Sequence, residues 1–298
     1  MTKHKPVLLK QAVSSLQVEP GGVYLDATLG GGGHFLAIMK LMNGSGRLVG
    51  VDQDNNAIEA AKKLLVDGGF KKEGSDWHKK GMKVFLLSAN FRHLPNLMES
   101  IGEESFDGIL ADLGMSTDQL FDSPRGFSFG RQGELDMRMS QNLTVTAADL
   151  LAGLYKKELE QLFKTYGDVY KSGAIAAEIV KQRKRSPIKT TRHLKKLVGK
   201  ISPSSEAKVF QALRIAVNDE LNALKDFLPA AFKALNAGGR LAIINFHSGE
   251  DRVVKEFTNE KVESGDAKYT AKLIRPDALE IKENPKSRSA KLRVIEKI

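Results

Sequence analysis

At 298 residues the chain is long enough to bury a full core, as one large domain or two smaller ones. It contains no cysteine, which excludes disulfides, thiolate metal sites, iron–sulfur clusters and thiol nucleophiles together. No apolar run approaches the roughly 18–20 residues of a membrane span, and a formal charge of +10 fits either a polyanionic partner or a generally basic surface.

The N-terminal stretch "MTKHKPVLLKQAVSSL" starts basic, but its apolar run is short and no small-residue cleavage site follows. A soluble, cytoplasmic protein is expected. Residues 23–27 then read as a short buried strand, and residues 33–42 have the apolar spacing of a helix. Four consecutive glycines, 30–33, lie between them. "GRLVGVD" is the next strand and "NNAIEAAKKLLVD" a helix capped by Asn55 or Asn56. The polar segment 68–81, "GGFKKEGSDWHKKG", has no period and reads as an exposed loop. Residues 82–90 and 107–113 supply two more strands. Strands alternating with helices of this length predict a parallel sheet covered on both faces.

From Ser116 the pattern changes. "STDQLFDSPRGFSFGRQGELDMRM" is rich in turn residues and reads as a long loop. Helical patterns follow, with no strand between 144 and 205. The long segment 207–239 is helical, with Pro229 starting a new turn and Gly238 with Gly239 ending it. "RLAIINF" is a strand, "SGEDRVVKEFTNE" a helix, and "KYTAKLIRP" with "AKLRVIEKI" a closing antiparallel pair. The predicted fold is an α/β sheet interrupted by an all-helical insertion, with the sheet at 1–135 and 216–298 and the insertion at 136–215.

A glycine turn between the first strand and its helix is where an open α/β sheet binds its ligand, and glycines cost backbone entropy that something must justify. Asp52, ending the second strand about 20 residues further on, suits the hydroxyls of a ribose. The same glycines are also consistent with a tight structural turn. A dinucleotide needs a small residue where this chain has Phe35 or Leu36, and the Gly-Lys-Ser/Thr of a phosphate loop is absent. S-adenosylmethionine fits better, and no metal site is predicted. Phe91, just past the third strand, either lies against adenine or packs in the core. Asp112 ends the fourth strand, and a carboxylate at the end of a buried strand is costly unless it has a task, so it is the candidate catalytic residue. Without cysteine the carbon-5 route for methylating a pyrimidine is closed, leaving an amine, a ring nitrogen or a hydroxyl as acceptor.

Residues 181–200 carry nine Lys or Arg and no acid, fitting phosphate contacts or a solvated helix face. The candidates there are Arg183, Lys184, Arg185, Arg192, Lys195 and Lys196. "RGFSF" offers Arg125 for phosphate and Phe127 or Phe129 for stacking a displaced base, or else an aromatic loop packed on the sheet. "NFHSGEDR" places His247, a further candidate for RNA contact, after the last parallel strand, with Ser248 as the favoured helix cap. "ENPKSRSA" adds Lys286 and Arg288.

The ordered blocks "HKPVLL", "DATLGGGGH", "ADLGMS", "RGFSF", "LDMRM", "FQALRIAVNDEL", "NFHSGEDR" and "ENPKSRSA" resemble the RsmH (formerly MraW) family of bacterial 16S rRNA cytosine-N4 methyltransferases, across nearly the whole chain. The resemblance implies a class I S-adenosylmethionine-dependent methyltransferase sheet with an inserted helical domain. It implies methylation of the 4-amino group of a cytosine in the decoding region of 16S rRNA of the small ribosomal subunit. It carries the cofactor contacts onto Gly32, Gly33, His34, Asp52, Phe91, Asp112 and Gln119. The chain departs from the family pattern at "STDQL", where S-S-P-Q-L is usual, and at Gly249, where Leu is usual. The S/D/N-P-P-Y/F/W motif of many amino-methylating enzymes is absent, so "DLGMS" must stand in for it. A non-catalytic RNA-binding assembly factor, a nicotinamide-dependent oxidoreductase and a DNA amino-methyltransferase are the competing readings. The oligomeric state is open, a homodimer included.

Overall fold

The computed structural model describes residues 6–116, 119 and 124–298. Its strands, β1 to β9 in chain order, are Val23–Asp26, Ser45–Asp52, Lys71–Glu73, Asp76–Lys79, Gly81–Ser88, Phe106–Asp112, Leu235–Asn245, Ala267–Ile274 and Lys291–Lys297. They form one sheet in the order β3-β4-β5-β2-β1-β6-β7-β9-β8. The central five, β5, β2, β1, β6 and β7, run parallel, and the strands outside them pair antiparallel.

Parallel strands bury both faces, so successive side chains must find cover on opposite sides. On one face Leu48, Val84, Leu110 and Ile244 pack with residues of α1 (Leu9–Ser15), α2 (Gly33–Leu41) and α3 (Asn55–Asp67), including Val13, Phe35, Ile38 and Leu65. On the other, Val49, Phe85, Ile109 and Ile243 meet Leu94 of α4 (Leu94–Ile101) and apolar residues of two later helices. No helix among the described residues is long and apolar enough to cross a membrane.

The chain divides into two compact units, Met1–Met115 with Leu221–Ile298, and Ser116–Glu220. The second contains α5 (Ala147–Gly153), α6 (Lys156–Gly167), α7 (Ser172–Arg183), α8 (Thr191–Ile201) and α9 (Glu206–Asn218). The first resumes with α10 (Glu220–Lys233), α11 (Ser248–Glu263) and α12 (Ala278–Glu283). These cuts differ from the expected 136 and 216 for a physical reason. The loop before α5 is bonded into the helical unit: Glu134 bridges Thr190, and Leu135 N donates to Lys189 O at 2.9 Å. At the other end, Asp219 adopts φ 50 and breaks the expected single helix 207–239 into α9 and α10. Pro229 lies inside α10, and Gly238 and Gly239 fall within β7.

Buried Asn218 explains part of "RIAVNDEL". Its Oδ1 accepts from Met139 N at 2.7 Å, and its Nδ2 donates to Met137 O and Arg214 O at 2.8 Å each. Met137 has φ 60, a left-handed conformation that a non-glycine residue holds only under such restraint. Asn218→Ala leaves three buried backbone groups without these partners and is expected to cost about 2–4 kcal/mol, read as a lower urea midpoint.

The segment 68–81 is not a loop. β3 and β4 form a hairpin with a two-residue turn at Gly74 and Ser75, since Glu73 pairs Asp76. Gly74 supplies the positive φ such turns require. Two apolar residues anchor it: Trp77 and Phe70 pack into the cluster that holds Leu65 and Met82. The cap of α3 is Asp54, whose Oδ1 accepts from Asn56 N at 3.1 Å, rather than Asn55 or Asn56.

Candidate active site

Each parallel strand ends in a polar residue on the carboxyl side: Asp26 on β1, Asp52 on β2, Ser88 on β5, Asp112 on β6 and Asn245 on β7. Connections leave β1 towards β2 on one side, while β6 and β7 lie on the other. The crevice beyond β1 and β6 is therefore the switch point where such sheets bind ligands. Asp26 and Asp112 flank it.

Asp26 is fully buried, and Asp112 is partly so, with 21% of its side chain exposed. Asp26 Oδ1 accepts from Thr28 N at 3.1 Å, while its Oδ2 is buried with no partner among the described residues. Burial pushes its pKa up to about 8, against backbone donors that pull the other way. Asp112 Oδ1 is likewise buried without a partner, and Oδ2 stands 3.6 Å from His34 Nδ1. Burial first, then the charges of Asp26 and Glu250, hold the Asp112 carboxyl well above the usual carboxylate range. The Asp112 backbone is pinned by its N–H to Thr28 Oγ1 at 2.6 Å. Asp26 was missed in the sequence reading, although the argument that singled out Asp112 applies to it equally. Asn245 was missed too: it is fully buried, with neither Oδ1 nor Nδ2 partnered among the described residues.

The glycine turn is shaped by the protein itself. Gly30 and Gly32 have φ 47 and 76. A Cβ on Gly32 would stand 2.8 Å from Leu64 Cδ1, and one on Gly33 would overlap Pro6 Cγ. At Gly33 the approach of Pro6 suffices to require glycine, and at Gly32 the positive φ does so. Asp52 fastens the turn: Oδ2 accepts from Gly30 N and Oδ1 from Asp54 N, both at 2.8 Å. Burial raises its pKa to about 6 in spite of these donors. Each oxygen has a second lone pair, so capacity for further donors remains. His34 opens α2 nearly buried, with Nε2 3.1 Å from Val7 O. Phe91 sits in a short 3₁₀ turn, half-buried, with its ring 4.8 Å from that of Phe227 at 62°. The neighbouring Asn90 donates to Gln53 at 3.0 Å, joining the ends of β5 and β2.

His247, expected on RNA, caps α11 in place of Ser248. Its Nδ1 accepts from Glu250 N at 3.3 Å, and Glu250 Oε2 accepts from Phe246 N at 2.8 Å. The ring is nearly enclosed, which removes it from the exposed RNA candidates. A Cβ on Gly249 would stand 3.2 Å from this ring, so glycine at that position gives the imidazole its room.

The helical unit sorts the remaining RNA candidates. Phe127 is buried, and Arg125 lies over it while donating to Arg138 O and Met139 O. That pair therefore organises the loop. Phe129 is the more exposed ring, at 42%, and meets Phe210 edge-on at 6.2 Å. Arg183 donates to Leu151 O and Leu154 O, closing the end of α5, and Lys195 lies over Phe129 and 3.8 Å from Glu206. Lys184, Arg185, Arg192 and Lys196 are exposed. Gln119, expected at the cofactor, is buried, and its Oε1 accepts from Ser116 N at 3.1 Å. In the first unit Lys286 and Arg288 are exposed on a 3₁₀ turn.

A row of acids, Asp26 buried and Asp52 and Asp112 half-buried, suits a ligand with positive charge and no phosphate. A dinucleotide would set two phosphates against Asp26, Asp52 and Asp112, and like charges at close range in a poorly solvated site repel strongly.

The sequence profile of the MraW methylase family matches residues 1–298. The chain is 39% identical to the ribosomal RNA small subunit methyltransferase H of Halothermothrix orenii, across 100% of this chain and 99% of that one. It is 40% identical to the protein of that name from Bacteroides thetaiotaomicron, across 100% and 98%, and 41% identical to that from Bacteroides fragilis, across 99% and 98%.

Proposed function

The chain belongs to the MraW methylase family, and on that premise we propose that it transfers a methyl group from S-adenosylmethionine to the 4-amino group of a cytosine in the decoding region of small-subunit rRNA. The observation that carries this reading is the pair of buried, partnerless carboxylate oxygens on Asp26 and Asp112 at the switch point.

Asp26 and Asp112 suit the cationic methionine end of the cofactor, Asp52 the ribose hydroxyls, and the edge of Phe91 the adenine. The bound cofactor supplies a methyl group activated on a sulfonium. The chain's own contribution is orientation and charge. A cytosine amine is a weak nucleophile because its lone pair is shared with the ring. The Asp112 carboxyl, on a backbone fixed by Thr28, accepts one N–H and turns the amine's lone pair towards the methyl. Lack of cysteine is consistent with an amine rather than carbon 5 as acceptor.

Lys184, Arg185, Arg192 and Lys196 are proposed to contact rRNA phosphates. Replacing all four with Gln is expected to weaken rRNA binding and to flatten its salt dependence. The log–log slope should fall by about three, measured by filter binding between low and moderate salt. Arg183→Gln, by contrast, should register mainly as lost stability.

Nucleoside mass spectrometry of small-subunit rRNA from cells with and without the protein tests the whole reading. N4-methylated cytosine present only with the protein is the expected result. Equal modification in both overturns it, as would cofactor binding with methyl transfer to duplex DNA alone.

A further inference from the structure

The turn between α6 and α7 displays Tyr170, 95% exposed, on a backbone that is fastened on either side. Asp168 ends α6 in a left-handed conformation, with φ 47. Val169 is buried, and its N–H donates to Phe163 O at 3.2 Å, while Ser172 N donates back to Val169 O at 3.3 Å. Four lysines belong to this end of the helical unit. Lys171 Nζ donates to Ile201 O and Lys208 Nζ to Asp168 O, at 3.3 Å each. These bonds bring the end of α8 and the first turn of α9 to the turn, and both ammonium charges remain in place. Lys164 and Lys200, in the last turns of α6 and α8, are exposed. A basic stripe runs from there back along α8. Arg192, Lys196 and Lys200 follow at intervals of four, hence on one face, and all three are exposed. Thr191, Leu194, Leu197 and Val198 make the buried face. The helix itself holds no acid; Glu206 lies on its flank, against Gly199 and 3.8 Å from Lys195.

We propose that Tyr170 is a stacking platform for an unpaired base of the rRNA, and that the stripe Arg192, Lys196 and Lys200 follows the phosphates leading to it. The inference rests on the rRNA-methylating function proposed above. It deepens that reading by naming the form of RNA the helical unit grips: a single strand rather than a duplex.

Lysines alone hold phosphates of duplex and single strand alike, so the charge does not choose between them. The ring does. A base inside a duplex is already stacked on both faces, whereas an unpaired base gains a partner from an aromatic side chain whatever its identity. Because the backbone beside Tyr170 is already fixed, little further ordering is needed when a base lands on it. The chemistry asks for such a strand, since a cytosine whose 4-amino group is to be methylated cannot keep that group in a base pair. Other exposed rings of the unit are placed differently. Phe129 lies under Lys195 and edge-on to Phe210. Tyr155, 76% exposed at the far end of α6, has an acid beside it, Glu158, whose Oε2 accepts from the Tyr155 N–H at 2.7 Å. It serves as the control.

Fluorescence anisotropy of the intact protein with a labelled single-stranded oligoadenylate, and with an RNA duplex of equal length, tests this. Tyr170→Ala is expected to weaken binding to the single strand about fivefold to a hundredfold. The log–log salt slope should stay the same, because the ring carries no charge, and so should affinity for the duplex. Tyr170→Phe keeps the stacking face and should bind within about twofold of the parent. Lys200→Gln should instead lower the salt slope by about 0.7. The Tyr170 side chain is exposed, so an unchanged melting temperature should accompany its loss. With small-subunit rRNA as substrate, Tyr170→Ala should raise KM and leave kcat, as for a group that touches the strand and not the reacting amine. Unchanged single-strand affinity in Tyr170→Ala overturns the proposal. An equal loss on the duplex, or an equal loss from Tyr155→Ala, overturns it as well. Absence of methyl transfer by the parent protein would sink the proposed function while leaving the binding result in place, so the two failures are distinguishable.

Discussion

Asp112→Asn is expected to reduce single-turnover methyl transfer by at least about a hundredfold while leaving the melting temperature at or above that of the parent. The amide has the shape of the carboxyl but can neither take a proton nor offer two acceptor oxygens. The backbone bond from Asp112 N to Thr28 Oγ1 does not involve the side chain and survives. Removing a carboxyl that burial and the neighbouring Asp26 and Glu250 disfavour relieves the native state. Loss of rate with retained stability would separate a chemical role from a structural one. An unchanged rate removes Asp112 from the chemistry.

Binding of S-adenosylmethionine is expected to tighten as pH rises towards about 8 and to release protons, chiefly from Asp26. The free protein holds a proton on Asp26 up to about pH 8. A cationic ligand favours the deprotonated carboxyl, so binding expels that proton, and affinity gains up to about tenfold per pH unit below 8 for each proton lost. Asp52, raised to about 6, adds in the lower part of the range. Stability of the ligand-free protein runs the other way. The folded-state pKa of Asp26 lies above its unfolded value near 3.9, so the native state binds more protons between the two. This contribution is complete at acid pH and lost as pH rises through about 8. Asp26→Asn should flatten the slope near pH 8 in both measurements and weaken binding, leaving the share of Asp52 at lower pH. Calorimetry in two buffers of different ionisation enthalpy counts the protons, and a count of zero at pH 7 refutes the linkage.

The alternation of strands and helices was legible because parallel strands buried on both faces read as continuous apolar runs. Asp112 was legible for a related reason: a carboxylate terminating such a run has no cheap explanation. What escaped depends on register and on contacts between distant positions. Asp26 becomes a partner of Asp112 only once β1 lies beside β6, 80-odd residues later in the chain. The glycines at 32 and 33 pointed to a ligand, yet Pro6 and Leu64 occupy the space that their missing side chains leave. The hairpin at 71–79 was hidden in a polar run because its apolar anchors are Trp77 and Phe70, too few to show a period. His247 was missed as a cap because Ser, Thr, Asp and Asn lead at that position, whereas here an imidazole nitrogen accepts the bond. Phe127 and Phe129 are two residues apart in a loop without a period, and burial alone tells them apart.

The sheet stops growing at β3, and the manner of its ending bears on how the protein behaves at high concentration. An outermost strand displays a row of unpaired backbone groups that can recruit a strand from another molecule. β3 is only three residues long, and all three, Lys71, Lys72 and Glu73, are exposed and charged. So short a border, with only exposed charged side chains and no apolar contact to offer a second copy, disfavours self-association along it. The hairpin thus insulates β5, whose buried Val84 and Phe85 would otherwise lie at the margin of the sheet and act as a template for aggregation.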